Sequence, residues 1–389
     1  MESRIMMKSR NKIYLLMMAL VASFLLASCG IVGGGTTTVK IGLLSPQTGP
    51  IAVYAPGFED AANVAVSGLN EANDDYVFEL IVVDSGCDGT QAATSAQSLI
   101  DSGVVGIVGA ACSGATLGAI AVAAPAGVPM VSYASTSPAI STADDDGYLF
   151  RVVPSDAQQS VALADVVKSM GDSNPAVLFM TNDYGAGLGE NFKAAMGSLC
   201  TEIGYDPTEG SYDASTLAQA VVDGGCDSVV LISYATDGAA IMEELLSQGF
   251  SGSLYGADGL ADAALTQSFT DVAAVDGLVA TKPRPGESST AKSSFETAYA
   301  AAGGNAEGIY TNETYDAVNL VAAAAMADSN DDLRDDLVSL GSSYDGASGV
   351  HTFDSNGDVP GTGYEICEFS GANFSCSKIW TASGGVSGK

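Results

Sequence analysis

Histidine is almost absent from this chain, and basic residues are few. His351 is the only histidine, and 14 Lys and Arg residues face 46 Asp and Glu residues, for a formal net charge of −32 at pH 7. A Ser–His–Asp or Cys–His catalytic system needs an imidazole base, so a single histidine argues against both. The excess of negative charge repels nucleic acid and anionic membrane surfaces, because both are polyanions, so neither is expected as a partner.

Signatures of metal and cofactor binding are missing as well. No Cys-x-x-Cys pair occurs, which argues against zinc, and residues 185–189 lack both the GxGxxG spacing and the GK[ST] ending of phosphate loops. Val359 stands at the sixth place of a possible calcium loop, where Gly is required. The oxygen-bearing residues of that loop would be Asp354, Asn356, Asp358 and Glu365. We therefore expect no cofactor, no metal and no enzymatic activity.

The N-terminal segment has the pattern of an export signal. An uncharged apolar run at residues 13–27 is too short to cross a bilayer, which takes about 20 residues, but suits a signal peptide. Small residues then precede Cys29, and this resembles a bacterial lipobox; the alternative is an ordinary signal peptide with an incidental cysteine. We predict a signal peptide over 1–28, a lipidated Cys29, a flexible tether over 29–38, and an exported protein anchored to a membrane.

Six cysteines remain if Cys29 is lipidated. In an exported protein they would lie in an oxidising compartment and form disulfides. Six cysteines allow fifteen connectivities. Pairing neighbours along the chain gives three bonds, namely Cys87–Cys112, Cys200–Cys226 and Cys367–Cys376. Removal of residues 1–28 takes away four basic residues and one acidic residue, so ten and 45 remain and the formal charge becomes −35.

Short β-branched runs alternate with Ala-rich helical segments along the mature chain. Strands are predicted at 39–44, 76–84, 104–109, 128–133, 176–181, 228–233 and 253–256. Helices are predicted at 57–71, 91–102, 116–124, 188–199 and 238–248. This alternation, over a length too great for one core, predicts an α/β protein with two doubly wound parallel-sheet lobes.

Ligands of open α/β sheets bind beyond the carboxyl ends of the strands. The segments that follow the predicted strands are therefore the candidates for a binding site. They are residues 45–54, 84–88, 110–116, 133–138, 182–187, 234–238 and 257–260.

These same segments resemble the type I periplasmic solute-binding proteins, above all the branched-chain amino-acid (Leu/Ile/Val) binding family of ABC transporters. The resemblance extends over about residues 39–377. The matching stretches are 41–50, 84–91, 109–113, 132–138, 182–185, 256–259 and 353–358. No single stretch is decisive, but seven in the family's order are specific.

The resemblance implies two discontinuous lobes joined by three crossing segments, near 151–156, 281–285 and 349–354. The N-terminal lobe would comprise 39–152 and 284–350, and the C-terminal lobe 153–283 and 351–380. The resemblance also implies the Cys87–Cys112 bond, whereas the other two pairs rest on spacing alone.

The predicted ligand is a small amino acid bound between the lobes. Ser113, beside Ala111, lies between a strand and a helix, where a hydroxyl and backbone amides suit a carboxylate; the alternative is a plain helix cap. The resemblance assigns the ligand's backbone to Thr136 and its neighbour Ser135, which could instead belong to an ordinary turn. It assigns the ammonium to Asp258, one methylene shorter than the family's Glu.

Three tyrosines in strand-end loops are candidates for the walls of the site. Tyr184 is the best match to the family, while Tyr54 and Tyr234 are equally compatible with core or rim packing.

The resemblance implies a monomeric receptor that closes on its ligand and delivers it to the permease subunits of an ABC importer. A receptor that presents ligand to a membrane sensor, a binder of amides, urea or aromatic acids, and a lipid-anchored hydrolase are the alternatives. Amides, urea and aromatic acids lack the ammonium group that Asp258 would bind, so Asp258 argues against that alternative.

Overall fold

The structure is a computed structural model that describes residues 36–208, 210–286, 289–305, 308–327 and 332–389. The predicted signal peptide, Cys29 and most of the predicted tether lie outside the described residues. In the part of the chain that the structure describes, no helix is both long and apolar enough to cross a membrane.

The first sheet contains five parallel strands. They are β1 (Thr37–Ser45), β2 (Tyr76–Asp84), β3 (Gly106–Val108), β4 (Met130–Ser132) and β5 (Leu149–Arg151), and their spatial order is β2-β1-β3-β4-β5. Ile41, Leu43 and Leu44 of β1 are fully buried, as expected for a strand with helices on both faces.

Among the described residues, five helices accompany this sheet. They are α1 (Ala55–Ala72), α2 (Gly89–Asp101) and α3 (Ser113–Ala123). Two more, α8 (Thr290–Ala301) and α9 (Thr311–Met326), return from late in the chain. Helix α1 packs against α9 and α2 packs against α3. Helix α1 buries Phe58, Ala61, Ala62 and Ala65, whose spacing defines one face of a helix.

The second sheet has eight strands. They are β6 (Pro175–Met180), β7 (Thr201–Tyr205), β8 (Ser228–Ile232), β9 (Ser253–Gly256), β10 (Leu278–Pro283), β13 (Tyr364–Ser370), β14 (Asn373–Thr381) and β15 (Gly385–Gly388). Their order is β15-β14-β13-β10-β9-β8-β6-β7. The helices that accompany this sheet are α4 (Asp156–Met170), α5 (Gly185–Met196), α6 (Ala214–Gly224) and α7 (Ala235–Ser247).

The α/β fold class with two sheets is confirmed, but the second sheet is mixed. Strands β6 to β10 are parallel, whereas β13, β14 and β15 pair antiparallel along one edge. They follow one another through tight turns and need no crossover helix, so a search for alternating strands and helices does not detect them.

The chain passes between the sheets at three places. It leaves the first sheet after β5, returns from the second after β10, and leaves again between β12 (Val350–His351) and β13. β12 pairs with β11 (Tyr344–Asp345) in a small separate hairpin that follows α10 (Leu333–Leu340).

Several sequence-based boundaries need correction. The tether was expected to extend to residue 38, but β1 begins at Thr37 because its first residues pair with Tyr76 of β2. The C-terminal lobe was expected to end at 380, but β14 and β15 continue to Gly388. Helix α3 begins at Ser113 and not at residue 116, so Cys112 is the capping residue and Ser113 the first helical residue.

The structure forms all three disulfides that local pairing suggested: Cys87–Cys112, Cys200–Cys226 and Cys367–Cys376. The first joins the loop after β2 to the residue that precedes α3. The third bridges the neighbouring strands β13 and β14.

Candidate functional site

Loops that follow strands of both sheets meet around one cavity between the sheets. Parallel strands bring their carboxyl ends to the same edge of a sheet, and the two sheets present these edges to each other. The lining residues are Ile51, Tyr54, Phe58, Ala111, Ser113, Ala134, Tyr184, Tyr234, Asp258, Gly259, Ile309 and Tyr310. Six of the eight residues expected at the site are among them, and Ser135 and Thr136 are not.

Ser113 contributes a hydroxyl on the side of the first sheet. It is buried as the first residue of α3, and its Oγ accepts a hydrogen bond from the backbone N–H of Ser137 at 3.3 Å. The start of an α-helix carries unpaired N–H groups and a partial positive charge. This corner of the cavity can therefore bind an anionic group.

The hydroxyl of Ser135 contacts other protein groups and not the cavity, which differs from the expected ligand contact. Its Oγ lies 2.7 Å from Oγ1 of Thr116 and donates to the carbonyl oxygens of Ala110 and Ala111. The hydroxyl is thus used to shape the loop, and the neighbouring Ala134 lines the cavity in its place. Thr136 is also buried.

Asp258 supplies a carboxylate from the side of the second sheet. It follows β9 and is 4% exposed. Its two oxygens accept hydrogen bonds from the phenol groups of Tyr184 at 2.7 Å and Tyr310 at 2.6 Å. Burial raises the pKa of Asp258, and the two phenol donors oppose that shift by stabilising the anion. An ammonium group is the natural complement of such a carboxylate.

Aromatic rings form the remaining walls. Tyr184 and Tyr234 stack with their centroids 5.1 Å apart and their planes 10° apart. Phe58, Ile51 and Ile309 also line the cavity. These surfaces suit a small apolar group between the two polar ends of a ligand.

Hydrogen bonds across the cleft hold the two sides together. The phenol of Tyr54 donates to the carbonyl oxygen of Gly259 at 3.1 Å. The N–H and hydroxyl of Thr236 both donate to the carbonyl oxygen of Pro50, each at 3.1 Å. The loop after β1 is thus joined directly to the second sheet's side of the cavity.

The strand-end rule missed several lining residues, of which Tyr310 and Ile309 matter most. They lie just before α9, in a segment that follows no strand. Only the packing of α9 against the first lobe brings them to the cavity, and no local sequence pattern reports this. Asp156, which opens α4 near the cavity, was missed because the short strand before it, β5, was not predicted.

The cavity therefore has chemically distinct ends. Hydroxyl and amide donors lie on one side, a carboxylate lies on the other, and tyrosines lie between them. Its lining, within the described ranges, contains no lysine, arginine or histidine. Such a site complements a small molecule that carries both a negative and a positive group.

Comparisons with known proteins agree with this geometry. A family model described as periplasmic binding protein matches residues 38–372. The leucine-, isoleucine-, valine-, threonine- and alanine-binding protein of Pseudomonas aeruginosa is 25% identical over 85% of this chain and 90% of its own length. Leu/Ile/Val-binding protein homolog 3 of Brucella melitensis is 29% identical over 61% of this chain and 65%, just under two thirds, of its own length.

A solved structure has the same fold. The branched-chain amino-acid transporter substrate-binding protein LivJ of Streptococcus pneumoniae, in complex with isoleucine, superposes with a TM-score of 0.80 at 23% identity. The match covers 89% of this chain and all of that one. The resemblance noted at the strand ends is thereby confirmed, and the chain belongs to the periplasmic binding protein family.

Proposed function

We propose that the mature chain is a lipid-anchored substrate-binding protein of an ABC importer. It binds a free amino acid, branched-chain or similar, between its lobes and delivers it to the permease. The observation that supports this most is the opposition of Ser113, at a helix N-terminus on one side of the cavity, to Asp258 on the other. The binding activities named for its relatives point the same way.

In this proposal the ligand carboxylate accepts hydrogen bonds from Ser113 and the first amides of α3. The ammonium group lies towards Asp258, and the aliphatic side chain packs against Tyr184 and Tyr234. A zwitterion thus connects the two lobes, so ligand stabilises the enclosed arrangement over an open one. The lobes are those expected from the sequence, with the first beginning at Thr37 and the second extending to Gly388.

The same proposal makes the protein non-enzymatic, monomeric and exported. Asp258 is engaged by two tyrosine hydroxyls, and the cavity lining offers no imidazole or lysine to act as a base. Its role would be to bind the ligand and change conformation.

A thermal-shift screen of the mature domain tests the ligand class. The compounds are the proteinogenic amino acids, urea, short amides and aromatic acids. A ligand at 100 times its Kd stabilises the folded protein by about 2.7 kcal/mol, which is readily detected. We expect aliphatic amino acids to give the largest shifts. Stabilisation by aromatic acids or urea alone would contradict the proposal.

Replacement of Asp258 by Asn tests its role in binding. The change keeps the size of the side chain but removes the negative charge. We expect affinity for the amino acid to fall about 30-fold or more, because truncation of one partner of a buried charge pair costs 2 kcal/mol or more. Calorimetry measures the change, and Asp74→Asn, exposed at the far end of β2, is the matched control. Unchanged binding by Asp258→Asn would remove this residue from the site.

A further inference from the structure

A second acid, Asp156, is fully buried, and its charge acts on Tyr184, Tyr234 and Tyr310, which line the cavity. It is the first residue of α4, and its backbone N–H donates to the carbonyl oxygen of Thr136 at 2.8 Å. Within the described ranges, neither carboxylate oxygen of Asp156 has a partner at hydrogen-bond geometry. The same holds for the hydroxyl of Thr136 and the amide oxygen of Gln159. Buried polar atoms are rarely left without partners, so this cluster indicates a bound group.

Asp156 lies near enough to Asp258 for the charge of Asp258 to affect its ionisation. Burial raises the pKa of Asp156 well above its usual range, and the charge of Asp258 raises it further. The hydroxyl of Thr136, which lies near this carboxyl but outside hydrogen-bond geometry, and the charge of Arg151 oppose this shift in pKa. The other titratable groups that face Asp156 are the phenols of Tyr184, Tyr234, Tyr310 and Tyr364.

Arg151 is the only positively charged side chain among these groups, and it is already paired. Its Nε donates to Asp358 at 2.6 Å. Its other nitrogens donate to the carbonyl oxygens of Ser135 and Ser137 and to the hydroxyl of Ser141. The two buried acids therefore share one site without a counter-charge of their own. Two such carboxyls titrate as a pair, and the first proton to bind is held in common.

We propose that Asp156, Asp258 and Thr136, here called the acidic floor, together receive the positively charged group of the ligand, and that binding releases the proton held between the two acids. This rests on the proposed function and defines its ligand further. The carboxyl O–H bond breaks, the proton goes to solvent, and an N–H of the ligand's ammonium takes its place on the carboxylate oxygen. The ligand keeps all of its own protons.

The number of acceptors specifies the chemical class of the ligand. A primary ammonium has three N–H donors, and the acidic floor offers Asp156, Asp258 and the hydroxyl oxygen of Thr136. A carboxylate has about four acceptor positions, so Asp258 can bind an ammonium while it keeps both tyrosine contacts. The floor therefore selects α-amino acids over neutral amides and over carboxylic acids that lack the amine.

Calorimetry in two buffers with different ionisation enthalpies, phosphate and Tris, counts the protons released. The probe is the amino acid with the largest thermal shift, beginning with L-leucine, and 4-methylpentanoate serves as the amine-free analogue. We expect about one proton released per amino acid at neutral pH, and affinity that rises up to about tenfold per pH unit on the acid side of the pair's titration. The analogue should neither bind tightly nor release a proton.

Asp156→Asn should abolish proton release, flatten the pH profile and weaken binding about tenfold or more. Thr136→Val keeps both acids, so it should weaken binding and retain proton release, which also covers the case in which Asp156→Asn fails to fold. Asp74→Asn should behave as wild type. Wild-type affinity and proton release in Asp156→Asn, or no proton release by the wild type, would overturn the inference. Loss of binding in Asp258→Asn alone would leave the proposed function standing, whereas no amino acid binding at all would end both.

Discussion

Two buried serines show that residue type alone does not decide whether a side chain contacts the ligand. Ser113 and Ser135 are both buried hydroxyls in strand-end loops of the first sheet, and the sequence suggested both as ligand contacts. The structure directs Ser113 to the cavity and uses the hydroxyl of Ser135 to hold the backbone at Ala110 and Ala111. Their roles can be separated by experiment.

Ser113→Ala and Ser135→Ala form a matched pair. Ser113→Ala should weaken amino-acid binding about 10-fold or more, since a hydrogen bond to a charged group contributes about 1.5–3 kcal/mol. Ser135→Ala should instead lower the free energy of unfolding by about 1–3 kcal/mol, because the buried carbonyl oxygen of Ala111 loses the hydroxyl that donates to it. Calorimetry and urea unfolding measure the two effects, and the reverse pattern would contradict the geometry.

A site residue could be identified from the sequence when it directly follows a predicted strand. Tyr184 and Asp258 could be found because the ends of parallel strands converge. Tyr310 could not, because it precedes α9 in a segment that follows a helix. Its position depends on tertiary packing, which leaves no periodic trace in the local sequence. Asp156 could not, because the short strand before it, β5, was not predicted.

At the scale of elements, the sequence predicted best where one strand and one helix alternate. β8 is apolar from Val229 to Ile232, and β1 is buried from Ile41 to Ser45. Both strands pair only with parallel neighbours. The elements after residue 256 were mostly missed. There the pattern changes to antiparallel strands at a sheet edge, whose burial alternates irregularly, as in β14.

The Cys87–Cys112 bond connects two of these elements and borders the site. It joins residues 25 positions apart, so its removal by Cys87→Ser with Cys112→Ser should cost on the order of 3 kcal/mol of stability. Amino-acid binding should weaken too, because Cys112 precedes Ser113.

The Cys367–Cys376 pair is the natural control. It spans only 9 positions, within one strand pair. Its removal should cost somewhat less stability and leave affinity unchanged. Thermal unfolding and calorimetry measure both properties. Equal loss of affinity in the two double variants would show that the first bond has no specific role at the site.

At the scale of the whole molecule, buried acids shape how stability depends on pH. Burial raises the pKa of Glu313 to about 8 and that of Asp237 to about 7. The folded protein therefore holds these protons more tightly than the unfolded chain does. Their stabilising effect is complete below about pH 4 and is lost as the pH rises through 7 to 8.

We expect the ligand-free domain to be more stable at pH 5 than at pH 8.5. Glu313→Gln should reduce this difference by on the order of a few kcal/mol, since the amide needs no proton to remain neutral. Urea unfolding at the two pH values measures it, with Glu71→Gln at the exposed end of α1 as control. An identical pH dependence in Glu313→Gln and wild type would refute the assignment.

Each of the three disulfides joins cysteines that belong to the same sheet and its helices. The disulfides can therefore make each half of the molecule rigid without joining the two halves covalently. If the chain binds a solute as proposed, release requires only noncovalent contacts to break, such as the one between Tyr54 and Gly259. Covalent bonds would thus stabilise each half of the molecule, whereas noncovalent contacts between the halves would govern ligand release.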